Sequence, residues 1–221
     1  MYIGPVYNYD IHSAFPSVMP ELPCLAYGMW RKVEGLSKKP YSIVHVKWSF
    51  DWHLSYFPFF YRDSRGSIYF PPEGEGWYYR PEVDTAIRAY ENGDLSTKEY
   101  DGKMELLESW EFQPYFDTKP FAYIHDLYQK RREWKESGKP AEKVLKFTIT
   151  SIYGKLCQSL GWSYNAYGDL VKPSYHNIFY AGYITSAIRA RMFDALMQAQ
   201  DDNIMVTTDG IYSTKPLDLP R

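Results

Sequence analysis

The stretch IMVTTDGIYST, Ile204–Thr214, decides how the chain is to be read. Two short runs of β-branched and aromatic residues flank Asp209-Gly210, and Asp-Gly between such runs is strong hairpin chemistry. A hairpin tip ordinarily lies in water and needs nothing more. Here the acid follows Ile204-Met205-Val206-Thr207-Thr208, a run apolar enough to be expected in a core. A single carboxylate at the tip of a buried hairpin calls for a use, and its partners should lie elsewhere in the chain.

Working outward, the preceding segment YAGYITSAIRARMFDALMQAQ (180–200) reads as a long helix that enters the hairpin through Asp201-Asp202-Asn203. At the other end of the chain, VYNYD (6–10) reads as a strand closing on Asp10. YSIVHVKWSF (41–50) and GSIYFPP (66–72) are further strand candidates. RPEVDTAIRAYENGD (80–94) reads as a helix with Val83, Ile87 and Tyr90 on one face and Asn92-Gly93 as its stop. KPFAYIHDLYQKRREWKE (119–136) places Phe121, Ile124, Leu127 and Tyr128 at helical spacing, SGKP breaks it, and Pro140 opens a second helix over AEKVLKFTITSIYGKL. Two helices joined by so short a break predict an antiparallel helical hairpin. Strands interrupted by long helices, with antiparallel ribbons, predict an α+β fold.

Composition narrows the function classes. The 221 residues suit one domain or one and a half, with 45% hydrophobic residues and a formal net charge of -2, so the chain is expected to fold around a sizeable core. The 22 Tyr, 12 Phe and 7 Trp fit either a core or a stacking surface. Cys24 and Cys157 form no CxxC pair, which excludes a disulfide framework and a Cys-rich zinc site. No apolar run is long enough to span a membrane, and MYIGPVYNYD lacks the regions of a signal peptide. The expectation is a soluble intracellular protein.

Two features carry charge chemistry. Between Lys130 and Lys146 stand seven basic residues against Glu133, Glu136 and Glu142, in a chain that is net acidic. Arg131 and Lys135 share a helix face. Arg131 and Lys146 lie at about 10–12 Å on either side of a bend centred on Gly138, so an antiparallel hairpin can bring Arg131, Lys135 and Lys146 level. Such a face is either a solvated basic surface or a clamp for a polyanion such as a triphosphate. Asp10, at the end of its strand, is either an Asx-type cap or a metal ligand beside a turn whose N–H groups, from Ile11 to Phe15, can receive phosphate oxygens. If the strands of Asp10 and Asp209 are neighbours, the two carboxylates can hold two divalent ions ~3.5–4 Å apart, the arrangement for in-line phosphoryl or nucleotidyl transfer.

In this order along the chain, the stretches resemble the three polymerase motifs of the family B DNA polymerases. DIHSAFPS (10–17) is similar to the first, D-x-x-S-L-Y-P-S; KFTITSIYG (146–154) to the second, K-x-x-x-N-S-x-Y-G; and TTDGIYS (207–213) to the third, which centres on D-T-D-S. QKRREWK (129–135) occupies the place of the fingers helix. PSYHNIFYAGYITSAIRARM (173–192) resembles the helix that precedes the third motif in protein-primed phage polymerases. The resemblance implies a palm with an antiparallel sheet and packed helices (1–115 and 158–221) and helical-hairpin fingers (116–157). The exonuclease and thumb of the family would lie before Asp10 and after the third motif, so a palm-and-fingers portion is expected.

The resemblance also supplies roles. It implies Asp10 and Asp209 as catalytic metal-binding carboxylates, with the Ile11 carbonyl as a backbone ligand, for two Mg²⁺ ions or Mn²⁺ in their place. Ser13 and Ala14 match the turn that holds the β- and γ-phosphates, and Phe15 matches the aromatic beneath the deoxyribose that excludes a 2′-hydroxyl. Arg131, Lys135 and Lys146 match the triphosphate clamp. Tyr153 matches a nucleotide contact, and Thr150, Gly154 and Thr208 match contacts to DNA or the nascent base pair. The implied partners are primer-template DNA, a dNTP and a priming terminal protein, and the implied setting is the cytoplasm of a bacterial host of a phage or mobile element. Thr150 stands where the family has Asn, Thr207 where it has the first Asp of the third motif, and Gly210 where it has Ser. Thr150 and Thr207 favour a second reading, a nucleotide- or DNA-binding polymerase remnant without turnover, whereas the intact Asp10, Asp209, Arg131, Lys135 and Lys146 favour the enzyme. A third, a two-metal nuclease, requires more carboxylates near the pair than the sequence offers.

Overall fold

In YSIVHVKWSF the alternation of side chains becomes a two-sided strand: Ser42, Val44, Val46 and Trp48 are buried while Ile43, His45, Lys47 and Ser49 are more open. The protein is described by a computed structural model covering residues 4–158 and 160–219. In chain order its elements are strand β1 (Tyr7–Asp10), helix α1 (Ala14–Val18), strands β2 (Gly28–Val33), β3 (Ser42–Ser49), β4 (Tyr61–Arg62), β5 (Ile68–Tyr69) and β6 (Glu73–Tyr79), helix α2 (Arg80–Glu91), strand β7 (Lys103–Pro114), helices α3 (Tyr123–Glu136) and α4 (Ala141–Lys155), strands β8 (Ser163–Tyr164) and β9 (Leu170–Val171), helix α5 (Ile178–Met197), and strands β10 (Asn203–Val206) and β11 (Gly210–Ser213). Antiparallel sheets interleaved with helices make this an α+β fold.

The chain divides into two units. The first takes residues up to Ile11, Gly28–Tyr115 and Ser186 onward; the second takes His12–Tyr27 and Phe116–Thr185. In the first unit, β2-β7-β3-β6 form an antiparallel sheet and β1-β11-β10 a second one. Val44, Val46, Trp48 and Tyr78 meet Val83, Ala86 and Ala89 of α2, with Phe59, Leu95 and Phe193 completing the core. Helix α2 starts on Arg80-Pro81, where a missing N–H is harmless, and stops at Gly93, whose φ of +80° lets the chain turn off the helix. The Glu82 carboxylate is fully buried and is met by Arg189 Nε at 2.5 Å, while the Arg189 guanidinium lies 4.1 Å from the centre of the Phe60 ring.

In the second unit α3 and α4 form the expected helical hairpin. Lys139 N–H donates to Trp134 O at 2.8 Å and Gly138 takes φ +67°, so the connection is a helix stop built on a left-handed glycine. Pro140 occupies the N-cap of α4 rather than its first turn. Ile124 and Ile149 are the fully buried residues of the pair, and α1 packs on α4. The Tyr180 hydroxyl donates to Pro23 O and accepts from Leu25 N–H, both at 2.8 Å, which ties α5 to the segment after α1.

Strands β2, β6 and β7 go beyond the elements read from sequence. Strand β7 spans twelve residues, yet its register against β3 slips between His45 and Val46, which interrupts the period-2 signal in KMELLESWEFQP. The apolar run Ile204-Met205-Val206 was expected in a core and is not there. These side chains are 45%, 53% and 42% exposed, on β10, the edge strand of a three-stranded sheet.

Candidate active site

The first unit fixes the two acids through its backbone. Strand β1 pairs antiparallel with β11 in the register Tyr7↔Ser213, Asn8↔Tyr212, Tyr9↔Ile211, Asp10↔Gly210. One residue further on, Ile11 N–H donates to Asp209 O at 2.8 Å. Asp10 and Asp209 therefore stand at adjoining strand ends although 199 positions separate them in sequence. The hairpin differs from its sequence reading by one residue. Thr207 N–H donates to Gly210 O at 2.8 Å, so Thr208-Asp209 form the tip and Gly210 begins β11. Neither tip residue has positive φ, so Asp-Gly is not the pair of central residues that a left-handed turn requires.

Gly210 is needed for closeness rather than for torsion. A Cβ there would fall 2.9 Å from Thr207 Oγ1, 3.1 Å from Tyr9 O and 3.4 Å from Asp10 Oδ1. Its hydrogen keeps β1 and β11 in pairing distance beside the Asp10 carboxylate. Asp10 is exposed, Asp209 half-buried and Thr208 exposed.

The second unit holds the remaining predicted residues. Ser13 adopts a left-handed conformation, φ 53° and ψ 47°, directly before the short helix α1, and its carbonyl accepts from Ser17 N–H at 2.9 Å. A non-glycine residue in that region carries strain of the sort found at ligand-holding turns. Ala14 is buried. Phe15 stacks on Tyr153 with centroids 4.3 Å apart and planes within 8°, so the first and second motifs meet in a flat aromatic pair. Lys135 and Lys146 are exposed. Thr150 turns its hydroxyl back to Lys146 O at 3.0 Å, so helix α4 itself consumes that group, while a Cβ at Gly154 would meet nothing within 4 Å.

Arg131 departs from the expected row of open cations. Its Nε meets Glu142 Oε2 at 3.3 Å across the bend, and the two side chains are only 14% and 17% exposed. Tyr128, one turn before Arg131, was read from sequence only as part of the helix's apolar spacing. Its hydroxyl is buried without a hydrogen-bond partner. Burial raises it above the ordinary tyrosine range, while the Ser13 side chain and the Arg131 charge act against that rise. The signals were present as spacing: Glu142 is four residues before Lys146, and Tyr128 three before Arg131.

Among the described residues, no group of three or more His, Cys, Asp or Glu side chains gathers in a way that could hold a metal ion. Asp10 and Asp209 at adjoining strand ends offer oxygen donors. Such a set fits Mg²⁺, which uses one or two carboxylates and completes its shell with substrate phosphates and water.

The fold and the ordered motifs are similar to those of DNA polymerases. No family model matches the chain. It is 25% identical over 232 residues to the primer-independent DNA polymerase PolB of Escherichia coli, covering 96% of this chain and 25% of that protein. It is 26% identical over 225 residues to the DNA polymerase of Acidianus bottle-shaped virus (isolate Italy/Pozzuoli), covering 96% and 31% respectively. The chain thus spans a quarter to a third of the length of these curated relatives. Among solved structures it is similar to Phi29 DNA polymerase in its orthorhombic crystal form, with a TM-score of 0.63, 19% identity, and coverage of 99% of this chain and 40% of that one. It is also similar to Phi29 DNA polymerase complexed with primer-template DNA and incoming nucleotide substrates, with a TM-score of 0.59 at 19% identity. The resemblance to DNA polymerases holds, and the fold, an antiparallel sheet with packed helices and a helical hairpin, matches that of Phi29 DNA polymerase. Among the described residues no helix is long and apolar enough to cross a membrane.

Proposed function

We propose that this chain carries the nucleotidyl-transfer centre of a DNA polymerase, which joins a dNMP from a dNTP to the 3′-hydroxyl of a primer and releases pyrophosphate. The observation that carries this reading is the pairing of β1 with β11, which brings the ends of the first and third motifs side by side. Asp10 and Asp209 would hold the divalent ions, with the Ile11 carbonyl as a further oxygen ligand. The ions, when bound, supply charge neutralisation at the reacting phosphate and lower the pKa of the attacking hydroxyl. Lys135 and Lys146, with Arg131, neutralise the triphosphate, and the turn at Ser13-Ala14 offers N–H groups to its terminal phosphates. Phe15, held flat by Tyr153, provides an apolar floor for a deoxyribose and has no hydroxyl to accept a ribose. Tyr153, Thr150, Gly154 and Thr208 face the base pair and the DNA in this reading. A single Asp at the hairpin tip suffices because the substrate phosphates contribute the other anionic ligands.

The test is addition of one nucleotide to a primed template in Mg²⁺. The expected result is a lengthened primer with dNTP, lost by at least ~10³-fold in Asp10→Asn and in Asp209→Asn at unchanged melting temperature, in line with the cost of removing a principal electrostatic group. Shortened product would assign a nuclease instead. Residual activity of Asp10→Asn equal to the parent would remove the assignment.

A further inference from the structure

On the cationic face of the helical hairpin, Glu142 suits the start of its helix and also faces two of the basic residues. Glu142 sits in the first turn of α4, one turn before Lys146 on the same side of the helix, and its carboxylate reaches across the bend to Arg131. Two functions are open to such an acid. It can orient the guanidinium, or it can cancel its charge. The geometry separates them. An orienting carboxylate on arginine makes two parallel contacts at about 2.7–2.9 Å. Here a single contact through Nε is recorded, at 3.3 Å, which leaves the planar fork loosely directed. Charge cancellation depends only weakly on such detail. With the side chains 14% and 17% exposed, the pair lies in a medium where unit charges act on one another several times more strongly than in water.

We infer that Glu142 is an affinity-limiting residue of the triphosphate site: it offsets the Arg131 charge and repels the polyanion that Lys146 attracts, so that nucleotide and pyrophosphate are held weakly enough to exchange. This rests on the reading of Arg131, Lys135 and Lys146 as the triphosphate clamp. The effect scales with ligand charge, since each added phosphate places more negative charge against the carboxylate, and it is screened by salt. Across two helical turns, about 11 Å, repulsion of a tetra-anion by one carboxylate corresponds to about tenfold in affinity where water screens it, as at an exposed phosphate site. The buried Tyr128 hydroxyl beside Arg131 is a donor that a phosphate oxygen would satisfy, which makes the neighbourhood more receptive to an anion once the acid is neutralised.

The experiment is titration of the 221-residue chain with a fluorescent dNTP, the corresponding dNMP, and tripolyphosphate as competitor, at low and high salt, for the parent, Glu142→Gln and Glu142→Ala. Both variants should bind dNTP about three- to tenfold more tightly than the parent. The gain should be smaller for dNMP and should shrink in high salt. Glu142→Ala guards against a fold effect peculiar to the glutamine, and thermal melts of all three proteins report any loss of structure. Weaker or unchanged dNTP binding in folded variants of a parent that does bind would show that Glu142 orients Arg131 or merely pins the helices, and would overturn the inference alone. A parent that binds neither dNTP nor tripolyphosphate, with Lys146→Ala no different, would overturn the reading of the clamp and the inference with it.

Discussion

The two units fix their functional groups by different means. In the first, the acids stand where backbone hydrogen bonds put them: Asp10 opposite Gly210, and Ile11 N–H on Asp209 O. In the second, the basic groups are set by helical period and then modified by side chains, as Arg131 is by Glu142. A position held by sheet pairing moves only if the pairing breaks, whereas a charge on a helix face can be altered by one substitution on the neighbouring helix. The acids accordingly depend on the integrity of the first unit. The strength of the cationic face depends on which charges surround it.

The comparison breaks most easily through the buried ion pair of the first unit. Arg189→Ala would leave Glu82 charged and fully buried, with Oε2 already lacking a partner, and should destabilise the protein by about 3–5 kcal/mol in urea unfolding. A loss below ~1 kcal/mol would mean that the unit does not rely on this contact. Next comes Gly210→Val, which forces a branched side chain against Tyr9 O and Thr207 Oγ1 and should cost roughly 1–3 kcal/mol. Its greater effect should be on divalent-ion binding, which sharpens the claim that β1–β11 spacing sets the site; unchanged ion affinity would detach one from the other.

Acid should act on the first unit through Glu111. Ser37 Oγ donates to it at 2.5 Å and Arg31 Nη2 lies 2.6 Å away, and these contacts hold its carboxyl below the ordinary range. A depressed folded pKa contributes stability that is present above the unfolded value, about 4.3, and is lost as pH falls through the folded one. Glu111→Gln should therefore flatten the decline of stability below about pH 4.5. A parallel decline in both proteins would count against that contribution. The smallest effect belongs to the second unit: Lys135→Ala, at an exposed position, should change stability by no more than about 0.5 kcal/mol while weakening dNTP binding. A large stability loss there would erase the contrast between the units.

What could be read from sequence follows the same division. Helices α2 to α5 were legible because their signals are local: Val83 and Ile124 at helical spacing, Asn92-Gly93 and Gly138 as stops. The α+β class followed from them. Strands β2 and β7 were not legible, since the pairing Gly28↔Pro114 to Val33↔Ser109 joins segments about eighty positions apart and the slip near Leu107 hides the alternation. The run Ile204–Val206 looks like core because hydrophobicity does not report whether a strand is central or at an edge. Asp10, Asp209 and the basic residues were visible as motifs in order. The contact of Arg131 with Glu142 was not, because it crosses a bend and joins two helices, although the spacing of Glu142 from Lys146 within one helix was visible.

The most direct measurement of the central claim is Mn²⁺ binding followed by electron paramagnetic resonance, with dNTP present, in the parent and in Asp10→Asn and Asp209→Asn. The expected result is protein-dependent loss of free Mn²⁺ signal in the parent and at least ~tenfold weaker binding in each variant, since outlying partners of a metal site alone are worth that much. Equal Mn²⁺ binding by all three proteins would contradict the claim that these two strand-end carboxylates form the metal site.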